Sequence, residues 1–173
     1  MSAILLNTGR LVDPFQIEKY SFTAIDFIHP ICLLNRYTGH TRKPISVGEH
    51  TVKLADSLQV RARGLKRAAT IHDFGEALTN DIPHPYKKDP DFRAYVKLEE
   101  RVQRHIFNVF GEPWENMEAL HEFDRRICAD EMAQGFNPPY VYPMEPLGIH
   151  VSFWSWQTAE RHLTTLCQEV GVL

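Results

Sequence analysis

Apolar positions recur at helical spacing along most of this chain. Between 92 and 110, Tyr95, Val96, Val102, Ile106, Val109 and Phe110 follow a 3.6-residue repeat that Gly111 stops, which predicts a long amphipathic helix. The segments 115–132 and 153–170 repeat that pattern, the second with Trp156, Ala159, Leu163 and Leu166 on one side. Ser46-Val47-Gly48-Glu49 has the S-x-x-E form of a capping box and predicts a helix running to about residue 59. After Gly64, an Ala-rich stretch over 65–78 predicts a buried helix carrying His72-Asp73. A further helix is expected from Thr23, with Thr23 as its cap and Ile25, Ile28 and Cys32 on one face, kinked or restarted at Pro30. Two short apolar runs around Asn7-Thr8-Gly9 predict a small hairpin over 4–12, broken at Asp13-Pro14. The intervening stretches 36–44, 80–85 and 136–148 are polar or proline-punctuated and read as loops. The expected fold class is all-α, one compact helical bundle over 1–173 with a minor N-terminal β-hairpin.

Composition narrows the class without naming a function. Of the 173 residues 43% are hydrophobic and 24% charged, an ordinary globular balance that excludes disordered and collagen-like readings. No apolar run approaches the length of a membrane span and the start is not a signal peptide, so a cytoplasmic protein without a membrane partner is expected. A net charge of −3 with no basic stripe argues against polymeric nucleic acid as a partner. Cys32, Cys128 and Cys167 are odd in number and far apart, consistent with reduced thiols. Histidine is the unusual residue: there are nine. Neutral imidazole is the commonest metal ligand.

The segment 69–83, Ala-Thr-Ile-His-Asp-Phe-Gly-Glu-Ala-Leu-Thr-Asn-Asp-Ile-Pro, concentrates that chemistry. On a helix, His72 and Glu76 stack on one face and Asp73 is turned by about 100°. Three such side chains on an apolar helix are costly to bury unless they bind something, and a divalent cation offsets that cost. Alone, a His-Asp pair is unspecific. With His50 on a capped helix upstream and Asp124 on a helix downstream, the order becomes His…His-Asp…Asp, that of the HD phosphohydrolase superfamily. The chain resembles that superfamily, in particular its small nucleotidase and phage-type dATP triphosphohydrolase branch. NRYTGHTRKPISVGEHTVKLA (35–55) is similar to the branch's Asn-Arg-aromatic…Ser-Val-x-Glu-His stretch. HDFGEALTNDIPHPYK (72–87) is similar to its His-Asp-x-x-Glu…Asp-Ile-Pro-x-Pro-x-Lys signature, and FDRRICADE (123–131) to the segment bearing its last Asp. The motif-bearing core spans about 23–132.

The resemblance implies an HD-domain helical bundle binding one divalent cation through His50, His72, Asp73 and Asp124. A mixed imidazole–carboxylate set suits Zn²⁺, Co²⁺ or Mn²⁺, with Mg²⁺ an option at a second, substrate-assisted site. It also implies that Glu76 and Asp81 belong to the catalytic centre; Glu76 could position or deprotonate the attacking water and Asp81 could steady or protonate the leaving 5′-oxygen, with the division of acid and base between them open. Arg36 and Lys87 are the candidate phosphate clamps, and Tyr37 occupies the aromatic position that lies against the nucleoside in the family. His40, His84 and His121 read as loop or surface residues, and the Trp154–Trp156 pair as core or subunit contact. The expected function is hydrolysis at the α-phosphorus of a deoxynucleotide. Chain length, the short interval from His50 to His72 and Lys87 beyond the loop favour a dATP-type triphosphohydrolase releasing deoxynucleoside and triphosphate. The alternatives are an HD 5′-nucleotidase acting on deoxynucleoside monophosphates and a non-catalytic nucleotide-binding module. A homo-oligomer is the implied assembly.

Overall fold

The structure, a computed structural model, describes residues 3–173. Helices dominate it. A two-stranded antiparallel hairpin opens the chain, β1 (Ile4–Leu5) against β2 (Leu11–Val12), with Ile4 opposite Val12. Helix α1 (Ile25–Leu33) starts after Ala24, and Asp26 reaches back to accept from the Thr23 amide at 3.0 Å. The same carboxylate takes bonds from Thr8 and Arg10, so it also ties the hairpin down. Pro30 lies inside α1, which continues past it.

The expected helix to residue 59 is two helices: α2 (Val47–Asp56) and α3 (Leu58–Ala62), divided at Ser57. Ser57 is extended and its hydroxyl accepts from the Val60 amide, so the residue starts a new helix instead of continuing the old one. The capping box of α2 is only half formed. The Ser46 hydroxyl accepts from the Glu49 amide at 3.0 Å, but the Glu49 carboxylate accepts instead from the Ser152 and Trp154 amides, both at 2.7 Å.

The predicted helix over 65–78 is likewise broken, into α4 (Lys66–Ile71) and α5 (Glu76–Thr79). Its break has a visible cause. The amide of Gln103 is inserted where the Gly75 N–H would have met the Ile71 carbonyl: Gly75 donates to Gln103 Oε1 at 3.2 Å, and Gln103 Nε2 donates to the Ile71 oxygen at 3.1 Å. A side chain wedged into the helical ladder interrupts it. His72 and Asp73 therefore sit in a tight turn between two helices. A one-turn helix α6 (His84–Lys87) follows, in a stretch expected to be loop.

The later helices agree closely with the hydrophobic pattern: α7 (Arg93–Val109), α8 (Trp114–Gly135) and α9 (Trp156–Glu169). Helix α2 is central, packing on α1, α4, α8 and α9. Phe27 stacks on Phe74 at 5.1 Å, and Phe110 packs edge-on to both. Asp130 on α8 accepts from the amides of Leu147, Gly148 and Ile149. Together with Glu49 it pins the segment leading into α9. No helix of the described residues is long and apolar enough to cross a membrane.

Candidate metal centre

His50 lies in the first turn of α2, held inward by the Ser46 cap, and is buried. Its Nδ1 is 2.8 Å from Glu131 Oε1. His72, equally buried, ends α4 and directs Nδ1 at the Ala69 carbonyl, 2.8 Å away. A carbonyl and a carboxylate both accept, so each ring donates through Nδ1 and leaves Nε2 as the free nitrogen. The two Nε2 atoms face one another at 3.3 Å.

Carboxylates complete the cluster. Asp73 Oδ2 is 3.1 Å from His72 Nε2 and 3.6 Å from His50 Nε2. Asp124 Oδ1, from α8, is 3.1 Å from His50 Nε2 and 3.8 Å from His72 Nε2. His50, His72 and Asp73 offer donor atoms all within 4.8 Å of one another, a group that could hold a metal ion. Asp73 Oδ2 is also buried without a hydrogen bond of good geometry. Two imidazole nitrogens turned toward each other beside an unsatisfied carboxylate oxygen fit a divalent cation better than they fit an empty core.

Without an ion, the same carboxylates favour a proton on the rings in the place a cation would take. Burial disfavours a protonated His72, but Asp73 and Asp124 outweigh it and hold its pKa well above the ordinary imidazole value. Burial and the Arg36 charge likewise oppose protonation of His50, and Glu131 and Asp124 overcome them. Asp124 is held well below the usual carboxylate range because the hydrogen bonds with His50 and His72 overturn the effect of burial.

Glu76 opens α5 beside this group, with Oε2 buried and unpartnered. Burial, then the charges of Asp73 and Asp81, push its carboxyl well above the ordinary glutamate value. Asp81, beyond the end of α5, is raised too, by burial and Asp73 against the pull of Arg36 and Lys87. Arg36 comes from a turn over Arg36–Gly39, in which Tyr37 and Thr38 both adopt left-handed backbone (φ 56° and 51°). Its Nε donates to Glu131 Oε2 at 3.0 Å, and its Nη1 is 3.8 Å from Asp73 Oδ2. Tyr37 donates its hydroxyl to the same Glu131 oxygen at 2.6 Å, and its ring packs edge-on to Phe136. Lys87 pairs with Glu99 at 2.7 Å, and Tyr95 donates to that same Glu99 oxygen.

The structure thus brings His50, His72, Asp73 and Asp124 together, with Arg36 and Glu76 at their edge. It leaves Tyr37 and Lys87 with protein partners of their own. His40, His84 and His121 are exposed, while Trp154 stacks on His162 at 4.3 Å. Sequence reasoning missed Glu131, which touches His50, Arg36 and Tyr37. The available signal was its place seven residues after Asp124, two turns along the same face of α8.

No protein-family model matches the chain, and no curated protein matches it. The residues themselves carry the argument.

Proposed function

We propose that the chain is an HD-type phosphohydrolase that cleaves deoxynucleotides at the α-phosphorus with the help of a divalent cation. The observation carrying this reading is the convergence of His50 Nε2, His72 Nε2, Asp73 and Asp124 beside a buried carboxyl, Glu76, that has no partner. A divalent ion held by those four residues supplies Lewis acidity toward water and a phosphoryl oxygen. Glu76, with a free buried oxygen beside the cluster, would in its ionised form take a proton from the attacking water. The water oxygen bonds to the α-phosphorus, the bond from phosphorus to the 5′-oxygen breaks, and Asp81 in its protonated form gives that oxygen its proton. Arg36 is held at Nε by Glu131 and at Nη2 by the Cys128 sulfur, which leaves Nη1, 3.8 Å from Asp73 Oδ2, for an α-phosphate oxygen to take up.

With a deoxynucleoside triphosphate of the dATP type as substrate, the products are deoxynucleoside and triphosphate. The position of Lys87, beyond the loop that follows Asp81, favours that substrate. One observation favours the second reading, a deoxynucleoside 5′-monophosphatase: Lys87 is already paired with Glu99, so its charge is partly spent before any distal phosphate arrives. A turnover assay over dNMP and dNTP panels, with orthophosphate and triphosphate detected separately, distinguishes the two. Triphosphate from dNTPs supports the first reading and orthophosphate from dNMPs the second. No turnover on either panel with Co²⁺, Mn²⁺ or Zn²⁺ supplied refutes both.

A further inference from the structure

We propose that Glu131 is a positioning residue for the metal centre: its carboxylate locks the His50 imidazole with Nε2 toward the ion. This goes beyond the ligand set but rests on the metal-binding reading.

Glu131 is 2% exposed, and its two oxygens divide the work. Oε1 takes the His50 Nδ1–H at 2.8 Å, while Oε2 takes the Arg36 Nε–H at 3.0 Å and the Tyr37 hydroxyl at 2.6 Å. All three partners donate, and Arg Nε–H cannot become an acceptor. Only an acceptor-only group with two free oxygens satisfies the set. An amide at this position would turn an N–H either at His50 or at Arg36. The Arg36–Tyr37 turn and α8 therefore hold the carboxylate from one side, and the carboxylate holds the ring from the other. Asp124, two turns earlier on α8, faces the Nε2 edge of the same ring at 3.1 Å. One helix thus supplies a ligand candidate and, at seven-residue spacing, the group that aims another. Carboxylate partners behind a ligating histidine commonly govern metal affinity by 10- to 100-fold.

The test titrates Co²⁺ or Zn²⁺ into chelator-stripped protein without nucleotide, and records the visible Co²⁺ spectrum. Glu131→Gln is expected to weaken binding at least ~10-fold and to alter the Co²⁺ bands. Tyr37→Phe removes one bond to Oε2 but not the His50 contact, and is expected to stay within about threefold of wild type. Should Glu131→Gln fail to fold, Glu131→Asp keeps an acceptor-only carboxylate but draws it one methylene back from His50 and carries the same expectation. Wild-type affinity and spectrum in a folded Glu131 variant would overturn the proposal while leaving the metal site standing. No binding by the wild-type protein would overturn both. A merely structural role would lower melting temperature and leave the affinity of the folded protein unchanged.

Discussion

His72 and Asp73 stand out in the sequence because both are costly on an apolar helix, whereas His50 and Asp124 stand out only through the order that the family resemblance supplies. Glu131 was not legible, since a glutamate on a long helix with many charges reads as a solvated residue until the fold shows it buried. Tyr37 holds the position that the resemblance sets against the nucleoside. Its hydroxyl is committed to Glu131, a contact 94 residues away in sequence that no local pattern encodes. Glu76 carries a consequence for stability. Its folded-state pKa is raised, so in the metal-free protein the carboxyl costs nothing below the ordinary glutamate pKa. The cost grows as pH rises from that ordinary value toward the raised folded-state one and levels off above it. Glu76→Gln is therefore expected to melt higher than wild type at pH 8 in chelator, with the gap closing toward pH 4, and to turn over at least ~10²-fold more slowly. An unchanged or lower melting temperature at pH 8, in a folded variant, would mean that the carboxyl has a compensating partner.

At the level of elements, long amphipathic helices were readable and the breaks between short ones were not. Helices α7, α8 and α9 follow from periodicity because each buries one stripe along its whole length. The breaks at Ser57 and at 72–75 depend on which hydrogen bond wins locally. At Ser57 a side-chain cap competes with the helix, whereas at Gly75 the competitor is Gln103, which arrives from a helix 28 residues away. The second break shapes the candidate site: His72 and Asp73 sit in the turn it makes and meet His50 across the interior. Gly75 is required there, because a Cβ would stand 2.6 Å from Gln103 Oε1. Gly75→Ala is expected to cost about 1–3 kcal/mol in urea unfolding. Adding Gln103→Ala should cost less than the two single changes together, since both act on one contact. Strict additivity would argue that Gln103 does not hold the turn open.

Over the whole molecule, Asp73, Glu76, Asp81 and Glu131 lie near Arg36, and α2, which carries His50, packs on α1, α4, α8 and α9. The general architecture was foreseeable from composition and periodicity. Closure of the site by α8 onto α2 and α4 was not, because it depends on long-range packing. All three thiols are shielded by the same packing: burial pushes Cys32, Cys128 and Cys167 up to about 12. At pH 8 none should react with a disulfide reagent until the chain unfolds, and rapid labelling of the native protein would show that a helix opens locally. Gathered carboxylates also favour a bound cation. Free metal at about a hundred times its Kd should add about 2.7 kcal/mol to stability, read as a higher melting temperature that chelation reverses. The most direct test is equilibrium dialysis of chelator-stripped protein against Co²⁺ or Zn²⁺, wild type beside Asp73→Ala and Asp124→Ala. The wild-type chain is expected to retain one tightly held ion, and each variant, still folded by circular dichroism, to lose it. A wild-type chain that retains no ion, or an Asp73→Ala chain that retains a full equivalent, would contradict the account.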